Sequence, residues 1–197
     1  MEFKYNSRKT IQAACLFLKL HDRPMEYMRL LKLLYLADKK ALDQMGETIT
    51  GDRYVSMNHG PVLSRVYDLI NHGPKGNPGD PWFNFISAPE KYHIRRLEDS
   101  GTDDLCAEEE EIIENVFAFY GKIDLWNLSE LTHLFPEWQY PHGSAVPIRV
   151  EDILRGLGKP EEEIREIQAD IESKNYLDML FEDTKDTGIE EISNELC

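Results

Sequence analysis

Residues 25–45 constrain the fold most, because their apolar side chains fall on two sides of one helix. Tyr27, Leu30, Leu31, Leu34, Ala41 and Met45 share one face, and Leu33 and Leu36 add apolar surface on the other. A helix with so little polar surface cannot lie at the edge of a fold, so it is expected at the centre, packed by other elements. Pro24 fits its first turn and Gly46 ends it. The densest apolar run, 30–37, is interrupted by Lys32 and is far shorter than the roughly 18 residues of a membrane span.

Around this helix the pattern predicts a mainly α fold: a compact helical domain with a small inserted hairpin and an acidic helical tail. Ser7 is expected to cap a first helix with Ile11, Ala14, Cys15 and Leu18 on one face. An extended piece is expected around 53–57, after which His59-Gly60-Pro61 opens a third helix carrying Val62, Val66, Leu69 and Ile70. Residues 72–81 read as a loop, and two alternating runs, 82–86 and 92–97, as a hairpin spanning about 82–97. Asp103 or Asp104 caps a fourth helix with Ile112, Val116, Phe119 and Ile123 inward, and a short fifth covers about 125–134. Two further helices are expected at 150–157 and from Pro160 to about 181. The domain division is 1–148 for the helical domain and 149–197 for the acidic extension, with roughly the last 15 residues mobile.

The formal net charge is −15 on 197 residues, unevenly spread. Residues 1–45 carry a net +4, residues 98–114 hold nine acidic and no basic side chains, and residues 151–197 carry −10. Most of this surface repels phosphates, which argues against free nucleic acid as a partner and suits a basic protein or mimicry of a nucleic-acid backbone. The basic side chains of the first two helices (Arg8, Lys9, Lys19, Arg23, Arg29, Lys32, Lys39 and Lys40) show no helix-turn-helix signature and read as a solvated face. The first residues, MEFKYNSRKT, lack the apolar core of a signal peptide, and three scattered cysteines without a CxxC fit a reducing cytoplasm.

Signals for catalysis are thin. The six histidines (21, 59, 72, 93, 133 and 142) form no HExxH, HxH or HxxxH, so no metal or other cofactor is indicated. Cys15 lies on an apolar face, and Cys106 sits among carboxylates that disfavour its thiolate. There is no GxSxG, Walker or GxGxxG motif, and the prolines of GPKGNPG remove the donors a phosphate cradle needs. A hydrolase built on Ser64 or Thr132 with His133 is therefore a remote alternative, and the chain reads as a non-enzyme.

An ordered set of motifs says more: Lys32-Leu33-Leu34-Tyr35-Leu36-Ala37, Gly51-Asp52-Arg53-Tyr54, His59-Gly60-Pro61-Val62 with Tyr67 beyond, Leu128-Ser129-Glu130-Leu131-Thr132-His133, and Pro136-Glu137-Trp138. Over roughly residues 8–175 this set resembles the SocA/GepA-like antitoxin family, the Panacea domain of bacterial and phage genomes. The resemblance implies an antitoxin of a toxin–antitoxin system that neutralises a cognate toxin, encoded next to it, by direct protein contact. It also brings an alternative, an adaptor that delivers the toxin to a ClpXP-type protease. The acidity suggests a third reading, a phage protein that mimics DNA to inhibit a host defence enzyme. Asn58, His59, Gly60, Pro61, Thr132 and His133 are carried over as partner-binding or loop-organising positions; from its charge alone, the acidic tail is expected to steer a basic partner.

Overall fold

The computed structural model describes residues 1–186. Helix α1 (Ser7–His21) is capped one residue earlier than expected: the Asn6 side chain accepts from the Lys9 amide at 3.0 Å. Pro24 does not open a helix. It precedes a two-residue strand, β1 (Met25–Glu26), before α2 (Tyr27–Met45) begins and runs to Gly46, whose φ of 68° ends it as expected. Helix α2 is the centre of the molecule, with Leu30, Leu33, Leu34, Tyr35 and Ala41 fully buried. It packs against α1, against α5 (Ala107–Tyr120) and α6 (Leu125–His133), and against the small sheet described next.

The sheet corrects the reading of residues 58–63. Tyr54–Met57 (β2) turns at Asn58-His59 and pairs with Gly60–Leu63 (β3), so His59-Gly60-Pro61 makes a hairpin rather than a helix start. Helix α3 (Ser64–Gly76) begins four residues beyond Gly60. Its opening is fixed from a distance: the Asp52 carboxylate accepts from the Arg65 amide at 3.0 Å and the Val66 amide at 3.1 Å. The helix breaks at Gly73 (φ 60°) ahead of Pro74, inside the segment expected as loop. A third strand, Val146–Ile148 (β5, after β4 below), lies on the other side of β2 and completes the antiparallel order β3-β2-β5.

The expected hairpin at 82–97 is half right. Asp80 accepts from the Trp82 amide at 3.0 Å and Pro81 has helical dihedrals, so Trp82–Phe85 forms a helical turn, α4, instead of a strand. The chain still doubles back, bridging Ile86 to Arg96, and His93–Ile94 (β4) pairs with β1 at Met25↔Ile94. The α5 cap is Cys106, not Asp103 or Asp104: Glu109 accepts from the Cys106 amide, while the two aspartates take the Gln12 amide group. Asp124 caps α6. Helix α7 (Val150–Gly156) and the start of α8 (Glu161–Asp186) supply Ile153, Leu154 and Ile164 to the core, and beyond Ile171 residues 172–180 are exposed. The mobility expected for the chain end falls mostly outside the described residues.

Candidate functional site

The motif residues converge on one side of α2. The Lys32 side chain, read from sequence as solvated, is fully buried; its Nζ donates to the Pro61 carbonyl at 2.8 Å. Burial of the ammonium with so little compensation lowers its pKa from 10.5 to about 7. The hairpin lies flat on this group because position 60 has no side chain. A Cβ at Gly60 (φ 93°) would stand 2.3 Å from Thr132 Oγ1 and 2.8 Å from Lys32 Nζ. From the α6 side, the buried Thr132 hydroxyl donates to the Ser129 carbonyl at 2.7 Å, and Ser129 Oγ donates to the His59 carbonyl at 2.8 Å. The hairpin turn is thus held by α2 from below and α6 from the side.

Two carboxylates anchor the rest of the network. Asp38, fully buried, accepts from the amides of Ile49 and Thr50 and from the hydroxyls of Thr50 and Tyr54. Burial pushes its carboxyl up to about 6 against the pull of those donors. Glu137 Oε1 accepts from the Tyr35 hydroxyl at 2.6 Å and from Lys39 Nζ, which also sits 3.8 Å over the Phe135 ring. Burial and the neighbouring carboxylates raise the Tyr35 and Tyr54 hydroxyls well above the ordinary tyrosine value. Trp138, next along, donates its indole N–H to the Met57 carbonyl at 3.1 Å, which ties the 135–140 loop to the same hairpin.

Of the six carried-over positions, Gly60, Pro61 and Thr132 are buried and pack together, with Lys32 between them. Asn58 and His59 are exposed at the hairpin turn, where His59 meets the Trp126 ring edge-on at 5.5 Å. His133 is half-buried with its ring 4.3 Å from that of Trp138. Sequence reasoning missed the burial of Lys32, Lys39 and Arg29, the last of which closes the end of α5 by donating to the Gly121 and Ile123 carbonyls. The signal was available: Arg29, Lys32 and Lys39 lie within a helix that is apolar on both faces. The partners Pro61, Glu137 and Gly121 are remote in sequence and were not readable.

This is an architectural site. Most of its polar groups are directed at one another; among the described residues the buried Glu137 Oε2 and His133 Nε2 are left without a hydrogen-bond partner, and no three His, Cys, Asp or Glu side chains are grouped to hold a metal ion. The cleft of about 470 Å³ beside the sheet, lined by Phe3, Arg53, Val55, Pro147 and Arg149 among others, includes none of the six positions. No helix among the described residues is long and apolar enough to cross a membrane.

The fold and site define a mainly helical domain whose motif residues lock a small β-hairpin between two helices. The family described as antitoxin SocA-like, Panacea domain, matches residues 30–139, from the first turn of α2 to the residue after Trp138. The chain belongs to this family. No curated protein and no solved structure matches it. Membership points to an antitoxin role, to a toxin as partner and to a regulator without catalysis.

Proposed function

We propose that the chain is the antitoxin of a toxin–antitoxin pair and neutralises its cognate toxin by direct protein–protein binding, without catalysis. The observation that carries this reading is the family match over residues 30–139, which takes in every motif from the α2 lysine to Trp138. The net charge of −15 adds to it, since an acidic surface steers a basic partner and raises the association rate. The interface is of ordinary size, with a few apolar anchors at its centre.

The test is co-expression with the adjacent open reading frame. The neighbour alone should arrest growth; together the two should restore it and purify as a stable complex. Restored growth with disappearance of the neighbour's protein would replace blocking by delivery to a ClpXP-type protease. A harmless neighbour would overturn the antitoxin reading and favour the DNA-mimicking alternative, which competition with DNA for a host protein then examines.

A further inference from the structure

The hairpin turn locked by the motif residues carries an aromatic surface that the interior network does not explain. On the outer face of α6, Trp126, Glu130 and Leu134 follow at a spacing of four; Trp126 is 59% and Leu134 82% exposed. Trp126 touches the exposed His59 of the turn. Across the turn, Trp138 is joined to the Met57 carbonyl, lies 4.3 Å from the His133 ring at a tilt of 41°, and meets the 60%-exposed Tyr140 with ring centroids 6.3 Å apart. The result is a band made of two ring groups, Trp126 with His59 and Trp138 with His133 and Tyr140, both tied to the hairpin. Large exposed aromatics on a fixed scaffold are the usual anchors of protein interfaces.

The charge around the band selects the partner. Between Ile123 and Ile148 the sequence has no lysine or arginine, with Lys122 just before this stretch, and it exposes Asp124 and Glu130, whereas Glu137 is buried against Lys39. The Glu130 carboxylate is 79% exposed, follows Trp126 and precedes Leu134 along the helix, and stands 3.6 Å from His133 Nδ1. The guanidinium groups nearest in sequence beyond the band, Arg149 and Arg155, are paired with Asp152 and Glu161. Ring faces beside an exposed carboxylate attract a cation from outside. The protein uses the same arrangement internally, where Lys39 lies over Phe135 and on Glu137. At a partly solvated surface a planar, weakly hydrated guanidinium stacks on indole and phenol better than an ammonium does.

We propose that this band, Trp126, Glu130, Leu134, Trp138 and Tyr140 with His59, is the docking face for an arginine-presenting segment of a partner protein. The inference rests on the neutralisation reading and deepens it by giving the partner's contact chemistry. The full chain, labelled with ¹⁵N, carries three indole N–H signals that serve as local probes. The ligand is a short alanine-based helical peptide carrying arginines, with lysine and glutamate versions as controls. The Trp126 signal should shift and saturate with the arginine peptide, Trp138 should follow, and the buried Trp82 should stay in place. The lysine peptide should bind more weakly and the glutamate peptide not at all.

Replacing Trp126→Ala, Leu134→Ser and Tyr140→Ala together keeps the net charge and should weaken arginine-peptide binding by roughly tenfold. The unchanged Trp82 signal reports that the variant is folded. Glu130→Gln, which leaves every ring in place, should weaken binding severalfold. Equal shifts with the lysine peptide, or shifts confined to α8 amides while Trp126 stays silent, would overturn the proposal. Growth assays separate it from the reading beneath. Full neutralisation by the triple variant would sink the docking face and leave the antitoxin role standing. A harmless neighbouring protein would sink the antitoxin role and leave the peptide result to be judged alone.

Discussion

Replacing Lys32 by methionine should remove a pH dependence of stability that comes from one buried ammonium. Lys32 titrates near 7 in the folded protein against an ordinary 10.5, because burial penalises its charged form. The unfolded chain therefore holds this proton more tightly than the native one. The penalty is present in full below about pH 7, shrinks as pH rises, and is gone above about 10.5. Evaluating the proton-binding terms gives a cost of about 4 kcal/mol at pH 7 and about 2 kcal/mol at pH 9, so wild type should gain about 2 kcal/mol over that interval from this group. Lys32→Met fills the same space without charge and gives up one bond to the Pro61 carbonyl, worth about 1 kcal/mol. The variant should thus be at least as stable as wild type at pH 7, with its advantage falling by about 2 kcal/mol at pH 9. Urea unfolding of both proteins at the two pH values measures this, and the difference cancels contributions they share, such as the buried Cys15 thiol, whose pKa burial raises. An identical pH slope in the two proteins would refute the assignment. So would a Lys32→Met variant that is much less stable at pH 7.

Gly60→Ala should cost about 3 kcal/mol and lower the thermal midpoint by roughly 6 to 12 °C, because φ is 93° and the new Cβ meets Thr132 and Lys32. Calorimetry checks it, and a loss under about 1 kcal/mol would mean the hairpin is not seated as described. Glu137→Gln should cost about 2 kcal/mol by leaving the Lys39 ammonium without its carboxylate. Adding Lys39→Met should recover part of that loss; no recovery in the double variant would exclude the ion pair as the cause.

Much of the helical frame is legible in the sequence because it follows from local periodicity. The two-sided apolar pattern of α2 places it at the centre, Gly46 ends it at the expected residue, and the carboxylates before Ile112 mark the first turn of α5. The errors fall where local and distant signals compete. Val62, Val66, Leu69 and Ile70 keep a helical spacing, yet Gly60–Leu63 is a strand, because β2 offers its backbone partners and Asp52 starts the helix at Ser64. The alternation of Trp82-Phe83-Asn84-Phe85 suggests a strand, but Asp80 and Pro81 together nucleate a turn of helix.

The site divides in the same way. The motif order in the sequence was enough to indicate the family, and with it the positions Gly60, Pro61, Thr132 and His133, because spacing along the chain survives without knowledge of packing. Which of these positions are structural was decided only by tertiary contact. Lys32 is buried because the hairpin and α6 close over it, and that closure depends on the missing side chain of a glycine 28 residues away. The sequence by itself determined a central apolar helix, a mainly helical chain and an acidic surface, all properties of neighbouring residues or of their sum. Only the folded chain set the titration of Lys32 and Asp38, the pairing of Lys39 with Glu137, and the band of rings around the hairpin turn. Each of these is a distance between groups far apart in sequence, and such distances are fixed by close packing of the core rather than by any local pattern.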